Sequence, residues 1–548
     1  MEENKRVEAI VKRSTDIASA NGTWHTYYQQ LAEFCLPRKA QITTRRYPGE
    51  KLRMDKIYDS TAIRSLKVLA SGFMSNLTNP SSKWFNLRTR DLDFMGIRDV
   101  QLWLKEIEDI TFATLASSNF DTTMHEFYLN AGCFGTGVVM TLEDVKEKIR
   151  FTEVPIEQVG LEEDAYGRVN RVYRTFRLTA QQAFDLWGKE AGEKVAELMK
   201  KPQPHEKVEF LHYVGPREKR DRSKSTNTNM PFESVWIEKS KKHLIGEGGY
   251  LENPYSTGRF YKDTEDVMGY SPAMDALYEI KGLNAMKKTM LRAAMKIADP
   301  ALIAPRKGWI APLNGNPGKI NYYDKRTSDD QVTAFPSGGN IPITLEVIQQ
   351  EQTNIKETFF VPLFQALSNI TKQMTVPEVQ QRVAESMVLL GPTIGRFTQE
   401  MLDPILSRVV DILWRGGDLP TPPEEIQGQE IDFVYISPLA KAQRQSEVFS
   451  IQALLQDVGM VANAVPQVLD KLDGDRTIDI LAQVRGVDPS VIRPQEQVDA
   501  IRKMKAEAQM QQMQSESLQR GAETLKTGSE TAKNVSQANK DNQGKAGE

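Results

Sequence analysis

Five groups of residues have types and spacings that chemistry could use. The first is Gly315-Asn316-Pro317-Gly318-Lys319-Ile320. A phosphate-binding loop needs backbone N–H groups around the phosphates, a Lys after the last Gly, and a Ser/Thr hydroxyl for magnesium. Here the Ser/Thr is missing, the first Gly is at the wrong offset and no helix pattern follows, so a turn is predicted. The second, Gly132-Cys133-Phe134-Gly135-Thr136-Gly137, inverts the glycine order of a dinucleotide fingerprint. It follows a helix and precedes a strand, and is read as a helix-ending turn where backbones pack closely. The third is Glu162-Glu163-Asp164, whose carboxylates could hold a divalent cation. Its position before the turn Ala165-Tyr166-Gly167, between two strands, favours solvated loop charge. The fourth comprises His25, His125, His205, His212 and His243, with Cys133. No two histidines have metal-ligand spacing, and no orienting group accompanies Cys133 and His125. The fifth is Lys281, Lys288, Arg292 and Lys296, at intervals of seven, four and four, which form one stripe of a helix. A solvated face is the favoured reading of that stripe and DNA contact the other. No catalytic, cofactor-binding or metal-binding residue is assigned, and no cofactor is expected.

The elements that would position these groups form an α+β, mainly helical chain. Helix is expected over residues 1–36 with a break at Asn21-Gly22, over 60–77, and over about 100–115. The second of these carries Ile63, Leu66, Leu69, Ala70, Phe73, Met74 and Leu77 on one buried face. Between Val138 and Tyr261 the chain turns to short β-rich runs, with two short helices near 180–187 and 190–199. Ser271-Pro272 then starts a long helix to about Ala298, Ser as N-cap and Pro at the first helical position. A Gly/Pro-rich module with Trp309, Tyr322 and Tyr323 separates it from a second helix over 345–364. A long helix over 377–414 follows, with kinks expected at Gly391-Pro392 and near Pro404. After the strand-like 431–436, residues 440–512 return to helix, and the polar end is predicted to be disordered.

Composition narrows the function classes. The 548 residues are 40% hydrophobic and 26% charged, enough for several domains with ordinary cores. Two cysteines, Cys35 and Cys133, argue against a disulfide framework and suit a reducing cytoplasm. The formal net charge of -3 argues against tight general DNA binding, but not against a channel that DNA must slide through, where firm binding would be a handicap. No stretch reaches the roughly 18 apolar residues of a membrane helix, so no membrane partner is expected.

An ordered series of local signatures then carries a resemblance. The first is Ile57-Tyr58-Asp59-Ser60-Thr61-Ala62, with Leu69-Ala70-Ser71-Gly72-Phe73-Met74-Ser75-Asn76-Leu77-Thr78 and Trp84-Phe85. Next come Ser118-Asn119-Phe120, the 132–137 glycine segment, and Gly269-Tyr270-Ser271-Pro272-Ala273-Met274-Asp275-Ala276-Leu277 with Leu283-Asn284. Leu389-Leu390-Gly391-Pro392, Leu402-Asp403-Pro404 and Tyr435-Ile436-Ser437-Pro438-Leu439-Ala440 complete it. Over about residues 10–450 the chain resembles the head-to-tail connecting, or portal, proteins of podovirus-type phages.

The resemblance implies a portal-type fold and a ring of about twelve subunits at one capsid vertex. Its parts would be a wing (1–265 and 377–438), a stem of two helices (266–299 and 344–367), a clip (300–343), a channel loop (368–376), a helical crown (439–515) and a disordered tail (516–548). Its implied partners are double-stranded DNA, terminase, a tail adaptor, and the major capsid and scaffolding proteins. Its place would be the virion, after assembly in the host cytoplasm. Asn369, Lys372 and Gln373 would approach the DNA, and Trp309, Tyr322 and Tyr323 would meet clip partners. The Lys281/Lys288/Arg292/Lys296 stripe would face either DNA or a neighbouring subunit. A packaging enzyme and another virion ring, such as a tail adaptor or internal core protein, are the competing readings.

Overall fold

The computed structural model describes residues 2–44, 54–91, 94, 97–201, 206–221, 226–298, 302–303, 333–334, 341–368, 389–428, 431–435, 451–461, 467, 472–485, 491, 493 and 495–543. The chain divides into two compact units: residues 1–90, 104–421 and 430–443, and residues 91–103, 422–429 and 444–548.

In the first unit α1 (Glu2–Ala20) and α2 (Gly22–Cys35) part at Asn21, as the Asn-Gly pair predicts. The apolar stripe of α3 (Thr61–Leu77) buries Leu66, Leu69, Ala70, Phe73 and Leu77. After strand β1 (Phe85–Thr89) come α4 (Arg98–Ser117) and α5 (Phe120–Phe134). Phe73 forms the centre of an aromatic cluster, with ring centroids 5.4–5.9 Å from those of Tyr128, Phe260, Phe364 and Phe397.

Two antiparallel sheets follow. A three-stranded sheet has the order β3 (Lys148–Val154), β2 (Thr136–Asp144), β9 (Tyr255–Arg259). Gly137 and Gly258 pair across it, and a Cβ on either would come within 2.4 and 2.7 Å of the Phe127 ring. A five-stranded meander runs β4 (Val159–Glu163), β5 (Val169–Thr179), β6 (Lys207–Pro216), β7 (Phe232–Glu238), β8 (His243–Tyr250). Side chains alternate across a strand, so the odd positions Leu211 and Tyr213 of β6 take one face and Val208 and Phe210 the other. Val7, Ile10 and Val11 of α1 cover the first face. On the second, α6 (Ala180–Trp187) and α7 (Glu193–Met199) pack through Ala183, Val195 and Leu198. The sequence reading did not anticipate β8, because Gly246, Gly248 and Gly249 interrupt its apolar alternation, nor β1, which is only five residues long.

His212 is fully buried within this meander. Its Nδ1 lies 2.7 Å from the Tyr255 hydroxyl and its Nε2 3.0 Å from Ser234 Oγ, and the ring stacks on Trp236 at 3.7 Å. Burial, and then the charge of Arg174, lower its pKa well below the usual imidazole value, so it is a neutral core residue.

The helical part begins with α8 (Pro272–Asp275), capped by Ser271 Oγ on Met274 N–H as its Ser-Pro start predicts. It leads into α9 (Leu277–Ala298). The short strands β10 (Leu302–Ile303) and β11 (Thr333–Ala334) then pair, and α10 (Ile341–Thr358) returns along α9. The helix expected over 345–364 is instead two helices, α10 and α11 (Val361–Ser368), broken at Phe360. Phe360 has φ +56°, and Pro362, which cannot donate to an α-helical ladder, falls in the first turn of α11.

The next helix passes through Gly391-Pro392 without a break over 389–397. It departs from α geometry only in a π-turn at Thr398–Leu402, ahead of Pro404 in α12 (Asp403–Gly416). Of the two irregularities expected, the one near Pro404 is found as this π-turn, where a backbone donor is missing, while helix is continuous through Gly391-Pro392 from 389; residues 377–388 lie outside the described residues. Strand β12 (Ile431–Tyr435) pairs with β1.

The free edge of β1 is met by Glu108 of α4, whose Oε1 accepts the Leu87 N–H at 2.7 Å. Burial raises this carboxyl to about 7, against the lowering pull of the Leu87 N–H and Lys83. A carboxyl whose folded pKa is raised binds its proton more readily in the folded chain. Its contribution to stability therefore falls as pH rises from about 4.5 to about 7. Glu108→Gln is expected to gain on the wild type by on the order of 1–2 kcal/mol between pH 5 and pH 8. Urea titrations at the two pH values check this, and a pH-independent difference would refute it.

The second unit contains a helix over 451–461, α13 (Gly474–Arg485) and α14 (Gln495–Gln543). Arg502 of α14 reaches both carboxylate oxygens of Asp475 at 2.6 and 2.7 Å. The tail expected to be disordered from residue 516 is helical to Gln543. Its lack of apolar residues excludes a buried core but not a lone helix rich in Ala, Glu, Lys and Gln.

Candidate functional site at the base of the paired helices

Several signature segments, distant in sequence, meet near α8, α9 and α10: 57–62, 132–137, 269–277 and 283–284; residues 436–440 lie outside the described residues. The turn Tyr58-Asp59-Ser60 lies between α9 and α10. Asn284 of α9 accepts the N–H groups of Tyr58 and Asp59 on its Oδ1 at 2.7 and 3.0 Å, and donates its own Nδ2 to Ile280 O at 2.8 Å. Asp59 accepts Thr61 N–H at 2.8 Å, which starts α3, and Gln352 Nε2 of α10 at 2.7 Å. Burial would raise the Asp59 carboxyl, but hydrogen bonds from Thr61 and Gln352 and the charge of Lys287 hold it below the ordinary value. One turn thereby fastens both long helices to α3.

Replacing Asn284 with Leu would leave the N–H groups of Tyr58 and Asp59 without their acceptor. The expected cost is about 2–4 kcal/mol. It would be read in urea unfolding together with faster hydrogen exchange at Tyr58 and Asp59; unchanged exchange there would contradict the clamp.

A second junction fixes where α8 and α9 begin. Gly135, at φ +77°, ends α5, and a Cβ there would lie 2.1 Å from the Gly269 carbonyl oxygen. Ser271 Oγ donates to Cys133 O and Gly269 N–H donates to Thr136 Oγ1, both at 2.8 Å. The glycine segment 132–137 is therefore the close-packed, helix-ending turn that the sequence predicts.

A third junction joins the three-stranded sheet to the π-turn. Arg259 of β9 uses all five guanidinium donors: Nε and Nη2 to Glu400 at 3.0 and 2.7 Å, Nη2 also to Gly167 O, and Nη1 to Glu163 and Val267 O. Lys262 adds a second cation to Glu163 at 3.1 Å. A fourth contact, Tyr435 OH to Asp403 Oδ1 at 2.6 Å, ties β12 to the start of α12.

These geometries decide the chemistry. Glu162 pairs with Arg13 and accepts the Tyr173 hydroxyl, Glu163 pairs with Arg259 and Lys262, and Asp164 caps the turn to Arg168. The acidic run is thus an ion-pairing corner, not solvated loop charge. Among the described residues no group of His, Cys, Asp and Glu could hold a metal. Cys35 and Cys133 are buried free thiols, both raised by burial, Cys35 to about 12.

The basic stripe divides along α9. Lys281 donates to Gln30 Oε1 at 2.6 Å, and Lys288 lies 5.3 Å from the centre of the Tyr58 ring. Arg292 and Lys296 are exposed. Asn369, Lys372, Gln373, Trp309, Tyr322 and Tyr323 lie outside the described residues, as does the Gly315–Ile320 segment. Sequence reasoning missed Arg259 and Glu400; an arginine closing the short strand Tyr255–Arg259 carries no signal of burial.

The family model of the bacteriophage head to tail connecting protein matches residues 7–492. The chain belongs to that family. Within it, the chain is 31% identical over 527 residues to the probable portal protein of Bordetella phage BPP-1, covering 95% of each chain. It is 32% identical over 505 residues to the portal protein of Salmonella phage epsilon15, covering 91% of each. A head-to-tail connector is a structural part, consistent with junctions built from caps, clamps and ion pairs. The family match ends just before α14 begins.

Proposed function

We propose that this connector subunit forms a closed ring of about twelve copies at one capsid vertex, the channel for packaging and ejecting double-stranded DNA. The ring docks terminase during packaging and the tail adaptor afterwards, and it contacts major capsid and scaffolding proteins. It assembles in the host cytoplasm and remains in the virion. The observation that carries this reading is near full-length similarity to two phage portal proteins. Two features support it: a helix pair fastened at its base to the rest of the first unit, and a net charge of -3 that offers sliding DNA few net phosphate anchors.

Negative-stain electron microscopy of the purified chain tests the reading. Annular particles of roughly twelvefold symmetry, with a hole wide enough for a duplex, are expected. A closed assembly without a through-hole would move the chain to the adaptor or internal core reading.

Asn369, Lys372 and Gln373 are proposed to approach the passing DNA, and Trp309, Tyr322 and Tyr323 to meet the docking partners. A Lys372→Ala/Gln373→Ala double variant is expected to yield fewer DNA-filled heads; an undiminished yield would remove the loop from the channel.

A further inference from the structure

The two long helices carry opposite charge. Lys281, Lys287, Lys288, Arg292 and Lys296 against Glu279 give α9 five positive and one negative group, a net +4. Lys356 against Glu346, Glu351 and Glu357 gives α10 a net -2. On α9, Lys281 and Lys288 are held within the chain, which leaves Arg292 and Lys296 exposed one turn apart. On α10, Glu346 and Glu357 are three turns apart, opposite the buried Ile348 and Ile355, and both are exposed. Neither pair makes an ion pair among the described residues. Apolar side chains accompany them: Met295 (68% exposed) beside Lys296 on α9, and Leu345 (41%) and Val347 (42%) on either side of Glu346 on α10. Large apolar groups beside unpaired charge mark a protein-binding surface rather than a solvated one.

A helix pair that is basic on one member and acidic on the other complements a second copy of itself. An α9-to-α10 contact made once per interface is head-to-tail and gives a ring when its rotation closes, whereas a two-fold pairing would use the contact twice and stop at a dimer. We infer that the exposed face of α9 around Arg292 and Lys296 docks on the exposed face of α10 around Glu346 and Glu357 of the next copy, so that the basic stripe serves subunit contact and not DNA. This inference rests on the ring reading above and names the surface that would build the ring.

Two charge-reversed chains test it: one carrying Arg292→Glu and Lys296→Glu, the other Glu346→Lys and Glu357→Lys. All four positions are exposed, so both variants should keep the fold, which circular dichroism and urea unfolding would verify. In the first variant the exposed face of α9 at 292 and 296 becomes acidic, like that of α10, and α9 as a whole falls to net 0; in the second variant α10 rises to net +2, so both helices are basic. Each alone is expected to lose annular assemblies by tenfold or more in sedimentation velocity at low salt. An equimolar mixture is expected to recover them as alternating rings, because every contact is then again between opposite charges. Wild-type rings with either variant assembling equally well would overturn the inference and leave the ring reading standing, as would loss in both variants without recovery on mixing. A wild-type chain that never assembles would overturn the ring reading itself.

Discussion

Arg259→Ala is expected to lower folding stability by about 3–5 kcal/mol. The guanidinium is 2% exposed and holds two carboxylates and two carbonyl oxygens. Among the described residues, removing it leaves Glu163 with the cation of Lys262 alone and Glu400 with only that of Arg396 at 4.0 Å, although the two carboxylates are just 14% and 21% exposed. The penalty comes chiefly from the charges left behind, not from the lost attraction. Adding Glu400→Gln to Arg259→Ala should restore part of the loss, because one stranded charge is neutralised. The measurement is a double-mutant cycle in urea. A loss below about 1 kcal/mol for Arg259→Ala would show that water reaches the cluster and screens it.

The second large effect belongs to Gly135→Ala. The position needs φ +77°, which costs an L residue on the order of 1–2 kcal/mol, and the added methyl would sit 2.1 Å from the Gly269 carbonyl oxygen. Both obstacles are backbone, so no side chain can rotate away. The corner also sets where α8 and α9 start, through Ser271 on Cys133 and Gly269 on Thr136. A total loss of about 3 kcal/mol or more is expected, with poor recovery of folded protein, while Gly22→Ala, at a position with open space, should be tolerated. Equal yields and equal unfolding midpoints for the two variants would contradict the close packing.

Much of the local structure was legible because it depends on nearest neighbours in the chain. The Ser271-Pro272 helix start, the Asn21-Gly22 break, the apolar stripe of α3 and the span of α6 all follow from capping, backbone freedom and helical period. The order of the signature segments was also legible, and with it the family. What failed did so for identifiable reasons. The helix expected over 345–364 splits because Phe360 takes a left-handed conformation no propensity would assign to phenylalanine. β8 was hidden by its glycines. The polar end reads as disordered by the composition rule, although nothing local forbids a helix through Gln543.

The sequence by itself therefore determined the bounds of α1 to α4 and α6 closely, though it set no range for α5, and it determined membership in a connector family. Only the tertiary structure decided what the signature residues are for. Asp59, Asn284 and Gln352 are each unremarkable polar residues in one dimension, separated by 225 and 68 positions. In three dimensions they are one clamp, because each buried N–H of the 58–59 turn must find an acceptor and only a residue from a distant helix can supply it. The same holds for Glu163, Arg259 and Glu400, whose charges can be buried only together. Local preference is written in neighbouring residues; the pairing of buried polar groups is settled by the fold that brings their partners within about 3 Å.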